Sequence, residues 1–292
     1  MDFEEYSMAR KPGIDARLLD ILSSEDPRLR EFGEAMRYSV LGGGKRFRPL
    51  LCLAFADAVG EETPAVLDAA CAIELIHCFS LVHDDLPCLD DDDLRRGKET
   101  VHLVFGEAIA LLAGDALFAK AFEVISSLAA TDDRRCAAIA ELAAASGTNG
   151  MVGGQVVDVT SEGKETDLET IRWIHSRKTG ALITASCTIG AILAGGAVED
   201  ISAAAAYGAH IGIAFQIADD ILNETGSQAV IGKRTKTDEQ RRKATYPAVV
   251  GLERAERMAE DACSTAADIA ARFGPKAGTL VSLAAFSVRR SV

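Results

Sequence analysis

Residues 64–93 read PAVLDAACAIELIHCFSLVHDDLPCLDDDD, a long apolar segment that ends in a dense acidic run. The preceding pair Thr63–Pro64 is a helix start signal, because a threonine hydroxyl caps free amides and proline fits the first turn. We therefore expect one long helix that runs from this pair to Asp84. The acidic end follows directly on the apolar segment Cys78–Val82.

The remainder of the chain is also predicted to be helical. Alanine, leucine and glutamate dominate, strand-type alternation is scarce, and no Asn-Gly or Asp-Gly turn joins two β-branched segments. The expected later helices are Leu103–Leu128, Arg134–Val159, Leu168–Leu193, Ile201–Asn223, Tyr246–Phe273 and Lys276–Arg289. Polar loops are expected at Ser161–Asp167 and Thr225–Thr245. The sequence predicts an all-α fold in a single domain over residues 1–292.

The composition excludes several classes of protein. The 292 residues are 48% hydrophobic, enough for a sizeable core, and a net charge of −13 argues against a general nucleic-acid binder. The N-terminal segment MDFEEYSMARK lacks the basic lead and apolar stretch of a cleaved signal peptide. Seven scattered cysteines without a CxxC pair indicate buried thiols in a reducing compartment. We expect a soluble, cytoplasmic protein.

Two uncharged segments, Thr179–Val198 and Ile201–Ala218, raise the alternative of a membrane span. Both are rich in glycine, alanine, serine and threonine, and the second contains His210 and Gln216. Helices of small uncharged residues also fill the interior of large helical proteins. We therefore predict no stable insertion into a membrane.

Two acidic clusters carry the predicted chemistry. Asp84 and Asp85 close one apolar helix, and Asp219 and Asp220 follow the apolar segment 211–218. An acidic run is usually a solvated face. Carboxylates paired at the ends of apolar helices, however, repel one another and lose solvation unless cations offset them. Hard carboxylate oxygens, together with phosphate oxygens, suit Mg²⁺.

Helical geometry indicates which of these side chains share a face. Asp219 and Asn223 lie one turn apart on the same face of a helix. Asp84 and Asp90 are separated by about 240° around an ideal helix. They can therefore reach one metal ion only if the chain bends, and Pro87 lies between them to supply that bend.

Basic residues lie beside the acidic clusters. Residues 41–49, LGGGKRFRP, place a glycine loop before cations, although no serine or threonine follows the lysine as in a P-loop. Arg95 and Arg96 follow the first acidic cluster, and six basic residues occur from Lys233 to Lys243. Cations next to paired aspartates favour a diphosphate ligand, held partly through metal, over a nucleic acid.

Some of these residues also have ordinary structural explanations. Taken alone, His77 is more typical of a buried histidine than of a ligand-binding one. Lys178 is compatible with a lysine on a helix surface, and Gly42–Gly44 with a helix C-cap.

Six motifs occur in order along the chain: GGGKRFRP, ELIHCFSLVHDDLPCLDDDDLRRGKETVH, GQVVD, KTG, FQIADDILN and KATYP. In this combination the sequence resembles the trans-isoprenyl diphosphate synthases, or polyprenyl synthetases. It is most similar to bacterial farnesyl diphosphate synthases (geranyltranstransferases) that have two extra residues in the first aspartate motif. The resemblance extends from Leu41 to Leu252. It implies a homodimer with the isoprenoid synthase fold, a helical bundle around a deep central cavity.

The resemblance implies roles for individual residues. Two magnesium ions would be held by Asp84, Asp85 and Asp90, and a third by Asp219. The diphosphate of the allylic substrate would contact Arg95, Lys178 and Lys233. The diphosphate of isopentenyl diphosphate would contact Gly44, Lys45, Arg48, His77 and Arg96. The catalytic residues along the path of the carbocation would be Lys178, Thr179 and Gln216. Positions that match supporting residues of the family are Asp115, Gln155, Asp158 and Asp220.

The chemistry of the family explains these residue types. An allylic C–O bond ionises only when the departing diphosphate is neutralised by metal ions and cationic side chains. The double bond of isopentenyl diphosphate attacks the allylic cation, and the released diphosphate accepts the proton that is lost. Water would quench the cation, so the cavity is expected to be apolar.

Two positions predict product length and magnesium affinity. In the family, residues just before the first aspartate limit the growing chain, and here Phe79 and Ser80 precede Asp84 by five and four positions. The large ring of Phe79 predicts a floor that stops growth at fifteen carbons, so the expected reaction converts dimethylallyl and geranyl diphosphates to farnesyl diphosphate. Asn223 stands where the family usually has aspartate. It predicts a higher magnesium requirement, relieved by Asn223→Asp.

Several alternatives remain open. A geranylgeranyl diphosphate synthase would share the fold and the mechanism. A terpene cyclase would share the paired aspartates but would not need the GGGKRFRP site. A non-catalytic partner subunit typically loses its aspartates, and here only Asn223 supports that hypothesis. The C-terminal Arg289 and Arg290 match the family's basic tail only loosely.

Overall fold

The computed structural model describes residues 2–23, 26–60, 63–164, 166–225 and 245–288. Helices dominate these residues, and the predicted all-α class is confirmed. The helices are α1 (Phe3–Ile21), α2 (Arg30–Leu41), α3 (Phe47–Val59), α4 (Pro64–Asp84), α5 (Val101–Phe105), α6 (Glu107–Ser126), α7 (Asp132–Ser146), α8 (Met151–Ser161), α9 (Leu168–His175), α10 (Ala181–Leu193), α11 (Val198–Thr225), α12 (Tyr246–Val250), α13 (Leu252–Ala271) and α14 (Ala277–Val288). The shorter elements are 3₁₀ turns at Pro27–Leu29 and Gly274–Lys276, a π-helical segment at Ser176–Gly180, and strands β1 (Leu94–Arg95) and β2 (Lys98–Glu99).

Helices α3, α4 and α10 form the centre of the bundle. Their sequences are apolar on all sides, as expected for helices surrounded by other helices. Leu50–Ala56, Ala69–Ile76 and Cys187–Leu193 are buried without interruption. A side chain at Gly190 would bring its Cβ within 2.1 Å of the Cys52 carbonyl oxygen, so glycine there lets α10 approach α3 closely. Around this centre, α6 packs on α4, and α11 packs between α10 and α13.

The bounds of α4 are those predicted from the start signal at Thr63–Pro64 and the acidic end at Asp84. By length and composition alone, α4 and α11 are apolar enough to cross a membrane, but 67% and 50% of their apolar windows are buried inside the molecule. The other uncharged segment, Thr179–Val198, contains a helix of only 13 residues. That is shorter than the roughly 20 residues that a membrane span requires.

Two predicted helices are interrupted by a glycine with a positive φ. The predicted helix Leu103–Leu128 consists of α5 and α6, which are separated at Gly106, where φ is +86°. The predicted helix Tyr246–Phe273 consists of α12 and α13, separated at Gly251, where φ is +81°. Only glycine adopts this left-handed region without a steric cost, so each residue ends one helix and starts another.

Of two further long predicted helices, one is interrupted and the other is continuous with the predicted bounds. The predicted helix Arg134–Val159 is α7 and α8, because the chain leaves the helix at Gly147 and resumes it at Met151. The predicted helix Leu168–Leu193 is α9 and α10 with the π-helical segment between them. A π-helical turn accommodates an extra residue within a helix and often occurs at functional sites.

Candidate active site

A cavity of about 1530 Å³ opens into the bundle between α3, α4, α8, α11 and α14. Its wall contains most of the residues predicted from the sequence: Gly44, Lys45, Arg48, His77, Phe79, Ser80, Asp84, Asp90, Arg95, Arg96, Lys178, Thr179, Gln216 and Asp219. Asp85 is not part of this wall, and Lys233, Arg289 and Arg290 lie outside the described residues. Fold topology thus brings together side chains from four distant parts of the sequence.

The first acidic cluster is folded by a turn that begins where α4 ends. The amide of Asp90 donates to the carbonyl of Asp84 at 2.7 Å, and the amide of Leu89 donates to the carbonyl of Leu86 at 2.9 Å. Pro87 lies within this turn. The chain therefore bends as the sequence predicts, and both Asp84 and Asp90 line the cavity.

Burial makes the charge on Asp84 costly. Burial raises the pKa of its carboxyl to about 6, the positive charge of Lys178 counteracts part of that effect, and the negative charge of Asp90 adds to it. A cation near these two carboxylates would favour their ionised forms.

Asp85 and Arg95 are paired with each other in this structure. Arg95 lies on β1 and donates from Nε to Asp85 Oδ1 at 3.0 Å, with a second, shorter contact from Nη2. It also donates to Asp92 Oδ2 at 3.1 Å. Burial alone would lower the pKa of Arg95, but Asp85 and Asp92 outweigh it and raise the pKa. The predicted roles, metal binding for Asp85 and diphosphate binding for Arg95, would require this pair to separate.

Glycines shape the loop that carries the predicted isopentenyl diphosphate site. Gly43 and Gly44 have φ values of +115° and +112°, and a Cβ on Gly44 would lie 2.7 Å from Cζ of Arg96. Arg96 donates from Nη1 to the Gly43 carbonyl. Glycine is therefore required at position 44 both for the backbone and for the close approach of the guanidinium group.

Arg46 anchors the same loop to the core. It is 2% exposed and has a φ of +52°, and it donates to Asp15 Oδ1 at 2.7 Å and Glu74 Oε1 at 2.8 Å. With Arg46 turned inward, its neighbours Lys45 and Arg48 line the cavity. The resemblance assigned diphosphate contacts to Lys45 and Arg48 and none to Arg46, and the structure shows that Arg46 has acidic partners in Asp15 and Glu74.

His77 lies in the cavity wall beside several arginines. Burial lowers its pKa well below 6.5, and the charges of Arg48, Arg96 and Arg95 lower it further. At neutral pH this imidazole is therefore uncharged. It can exchange hydrogen bonds with a diphosphate oxygen, but it does not add positive charge.

The π-helical segment presents Lys178 and Thr179 to the cavity. Lys178 donates from Nζ to Asp158 Oδ2 at 2.6 Å. Burial alone would lower the pKa of Lys178, but the charges of Asp158 and Asp84 outweigh it, so this pKa is raised and the amine stays protonated. The GQVVD aspartate, Asp158, thus acts through the lysine.

A hydrogen-bonded chain connects the π-helical segment to the second acidic cluster. Thr179 donates to Gln216 Oε1 at 2.7 Å, and Gln216 donates from Nε2 to Asp220 Oδ1 at 2.9 Å. The backbone amide of Tyr246 donates to Asp220 Oδ2 at 3.0 Å. Both aspartates belong to the cavity wall. Asp220 is buried and hydrogen-bonded to its neighbours, whereas Asp219 is half-buried.

Close glycine contacts hold the π-helical segment in place. A Cβ on Gly154 would lie 2.3 Å from the Lys178 amide nitrogen, and a Cβ on Gly212 would lie 2.7 Å from the Gly180 Cα. Helices α8 and α11 can therefore touch this segment only because both positions are glycine.

Asn223 occupies a different place from the one expected for a metal ligand. It is 8% exposed, and among the described residues of α11 the cavity wall contains Gln216, Asp219, Asp220 and Leu222 but not Asn223. Asp219 and Asp220 are thus the carboxylates of the second cluster in the cavity wall, and Asp219 is the more exposed of the two.

The donor set fits magnesium that is shared with a ligand. Asp84, Asp90 and Asp219 supply hard oxygens to one cavity, as Mg²⁺ prefers. Within the described residues, no three His, Cys, Asp or Glu side chains lie close enough together to hold a metal ion alone. Mg²⁺ commonly completes its coordination with water and substrate phosphates, which accounts for such an open arrangement.

Aromatic residues also belong to the cavity wall. Phe286 on α14 stacks on Phe3 of α1 with ring centroids 3.6 Å apart, and Lys45 Nζ lies 4.8 Å from the Phe286 centroid. The motifs did not indicate this contact, because it joins the two ends of the chain. Phe47 and Phe215, which belong to the motifs GGGKRFRP and FQIADDILN, stack on each other at 5.5 Å.

Comparison with known proteins agrees with this geometry. Residues 30–271 match the polyprenyl synthetase family. The chain is 45% identical to geranylgeranyl pyrophosphate synthase 12, chloroplastic, of Arabidopsis thaliana, over 98% of this chain and 81% of that protein. It is 43% identical to the heterodimeric geranylgeranyl pyrophosphate synthase large subunit 1, chloroplastic, of the same plant, over 99% and 80%.

A solved structure is similar over the whole fold. The apo structure of an FPP/GFPP synthase from Zymomonas mobilis aligns with a TM-score of 0.89 and 39% identity, over 98% of this chain and 99% of that one. The similarity thus includes the helical framework as well as the motifs. The chain belongs to the polyprenyl synthetase family of trans-isoprenyl diphosphate synthases and is a prenyltransferase that acts on prenyl diphosphates.

Proposed function

We propose that this prenyltransferase makes farnesyl diphosphate, by condensing isopentenyl diphosphate head to tail with dimethylallyl and then geranyl diphosphate. The observation that carries this proposal is the position of Phe79 in the cavity wall. At five residues before Asp84, it lies about 7.5 Å further along the axis of α4. A ring at that depth limits the length of a prenyl chain whose diphosphate is held at the aspartates.

The charged residues divide the two substrates between two sides of the cavity. Lys178, kept protonated by Asp158, lies on the side of Asp84 and Asp90 and favours binding of the allylic diphosphate there. Bound Mg²⁺, held by Asp84, Asp90 and Asp219, would neutralise the charge that develops on the leaving diphosphate. Separation of the Asp85–Arg95 pair would add a carboxylate and a guanidinium to the same side.

The glycine loop supplies the other side. Lys45, Arg48 and Arg96 provide positive charge for the diphosphate of isopentenyl diphosphate, and neutral His77 provides a hydrogen-bonding group. Between the two sides, the Thr179 hydroxyl and the Gln216 amide offer fixed dipoles to the allylic cation. The released diphosphate is the base that takes up the proton.

A longer product is the second candidate. Relatives at 45% and 43% identity are named geranylgeranyl pyrophosphate synthases, which favours a product of twenty carbons. Overall identity, however, mostly reflects the shared framework. The depth of the cavity depends on a few side chains at its floor, and for this reason we give more weight to Phe79.

We also propose that the protein is a homodimer in the cytoplasm. Helices α5 and α6 expose Leu103, Val104, Leu111 and Leu112 by 43–52%. Exposed apolar residues concentrated on one pair of helices are typical of an interface. We propose a second copy of the chain as the partner, and light scattering at micromolar concentration tests this, with Leu112→Glu expected to give the monomer.

The decisive experiment incubates the protein with Mg²⁺, isopentenyl diphosphate and dimethylallyl diphosphate, and then identifies the dephosphorylated alcohols by chromatography. Farnesol as the main product supports the proposal. Geranylgeraniol as the main product replaces it with the second candidate while the mechanism stands. Absence of elongation with dimethylallyl, geranyl and farnesyl starters alike would overturn both.

A further inference from the structure

Phe79 is one member of a row of side chains between α4 and α6. On α4, Phe79 and His83 are four residues apart and therefore lie on one face. On α6, Gly114, Phe118 and Phe122 are spaced in the same way. His83 contacts Gly114 and Phe79 contacts Phe118, so the two helices run antiparallel along this row, which we call the α4–α6 seam.

The rings in the seam form a continuous row of contacts. Phe79 and Phe118 are perpendicular, with centroids 5.1 Å apart and an interplanar angle of 70°. Phe118 and Phe122 are also 5.1 Å apart. Of the three rings, Phe79 alone belongs to the wall of the cavity, and Phe118 lies behind it.

The His83 ring also contacts Phe79. His83 packs perpendicular to it at 5.1 Å and donates from Nε2 to the Leu111 carbonyl at 3.0 Å. A Cβ on Gly114 would approach this nitrogen to 2.1 Å, so glycine provides the space for the imidazole. The Phe79 ring is therefore in contact with two other rings, those of His83 and Phe118.

We propose that Phe118 is a second specificity-determining residue, which braces Phe79 in the native protein and becomes the next floor when Phe79 is removed. This inference rests on the proposed function, because it assumes that the prenyl chain grows towards Phe79. Phe122 lies one further turn along α6, about 6 Å beyond Phe118. The seam would thus set product length in steps, one ring at a time.

Product lengths of single and double variants test the proposal. Phe79→Ala is expected to lengthen the main product by one isoprene unit, with growth stopped at Phe118. Phe79→Ala/Phe118→Ala is expected to lengthen it by at least one unit more. Phe118→Leu alone, which keeps an apolar side chain of similar volume, is expected to add a fraction of longer product because Phe79 loses its brace.

A matched control separates this effect from general loosening of the core. Phe273 is half-buried and pairs edge to face with Phe55 at 5.8 Å, away from the cavity wall. Phe79→Ala/Phe273→Ala should therefore give the same length as Phe79→Ala.

The readout is the difference between variants, so it does not depend on the length that the unmodified protein makes. If that protein makes geranylgeranyl diphosphate, the proposed farnesyl product fails, while a longer product from the double variant still supports the role of Phe118. Products of equal chain length from Phe79→Ala and from the double variant would overturn the proposed role of Phe118. If the double variant does not fold, as judged by circular dichroism, an unchanged profile for Phe118→Leu overturns the proposal instead.

Discussion

The mouth and the floor of the cavity differ in the chemistry of their side chains, which are charged at the mouth and aromatic at the floor. The mouth, formed by Asp84, Asp90, Lys178 and the Asp85–Arg95 pair, holds charges whose balance depends on what is bound. The floor, formed by the aromatic rings of the α4–α6 seam, consists of uncharged side chains that contact one another. The difference indicates that bound ligands balance the charges at the mouth, whereas the side chains at the floor set the chain length of the product.

This comparison makes a general prediction about variants. Changes at the mouth should alter rate, metal response and pH dependence, but not product length. Changes at the floor should alter product length first. A mouth variant that changes product length would break the distinction, and the following predictions test the mouth from the largest expected effect to the smallest.

Replacement of Asp84 should have opposite effects on activity and stability. Asp84→Asn removes a carboxylate that favours cations at the leaving group, so kcat is expected to fall by about 10²–10³-fold. Because burial raises the pKa of this carboxyl to about 6, its ionised form destabilises the fold at pH 7.5. The free energy of unfolding should therefore rise, by at most about 3 kcal/mol, in the absence of Mg²⁺. Steady-state kinetics and urea unfolding measure the two effects.

Asp91 provides the matched control within the same acidic run. It is exposed, it is not part of the cavity wall, and its φ of +47° is one that asparagine tolerates. Asp91→Asn should leave kcat and stability close to those of the unmodified protein. Equal losses of activity in the two variants would mean that net charge, not position, matters.

Gly154→Ala should displace the π-helical segment. The added Cβ would lie 2.3 Å from the Lys178 amide nitrogen, so Lys178 and Thr179 must move. A displacement of about 1 Å in a catalytic group can cost about 10²-fold in rate. We expect kcat to fall by that order while the length of the product stays the same.

Gly278→Ala serves as its control. Gly278 lies on α14 with open space around its Cα, and alanine favours helices more than glycine does. This variant should keep full activity and equal or greater stability. A loss of activity in Gly278→Ala comparable to that in Gly154→Ala would contradict the positioning argument.

Magnesium and inorganic diphosphate, bound together at the mouth of the cavity, should stabilise the folded protein. A ligand at 100 times its Kd adds about 2.7 kcal/mol to the free energy of unfolding, and we expect a rise in Tm of roughly 5 °C. Asp84→Asn should abolish most of this shift in Tm.

Asn223→Asp should leave the ligand-induced shift in Tm unchanged, because Asn223 is buried outside the cavity wall. A larger shift in Asn223→Asp would instead restore the metal-binding role predicted from the motif.

His175 should make the protein sensitive to acid. Burial lowers its pKa to about 4; the charge of Asp158 partly offsets this effect, and that of Lys178 adds to it. Between pH 6.5 and 4 the unfolded chain binds a proton that the folded protein does not, so stability falls as the pH falls. This single group contributes at most about 3 kcal/mol over that range. In urea titrations at several pH values, His175→Asn should lose less stability on acidification than the unmodified protein, and parallel curves would contradict this account.

Local signals predicted much of the site. The start signal at Thr63–Pro64 and the acidic end at Asp84 gave the bounds of α4. The proline at position 87 indicated the bend that brings Asp90 to the cavity. These features are accessible from sequence because proline and charge act over a few residues. The Thr63 side chain makes no capping hydrogen bond, so Pro64 is the part of the start signal that the structure bears out.

Other features were missed because they depend on contacts between distant residues. The glycines that separate α5 from α6 and α12 from α13 have positive φ values that composition does not reveal. The pairing of Asp85 with Arg95 requires the β1–β2 hairpin to fold back on α4. Likewise, nothing near position 118 indicates that its ring packs behind Phe79.

The helical class, and the presence of groups that suit metal and diphosphate, can be read from the sequence alone. Those properties follow from residue type and local spacing, which a linear pattern retains. How Lys178 and Thr179 are presented to the cavity, and which ring lies behind Phe79, follow only from the packing of the helices. Each of these depends on helix–helix contacts at Gly154, Gly212 or Phe118, where the separation between atoms is set by the packing of elements far apart in the chain.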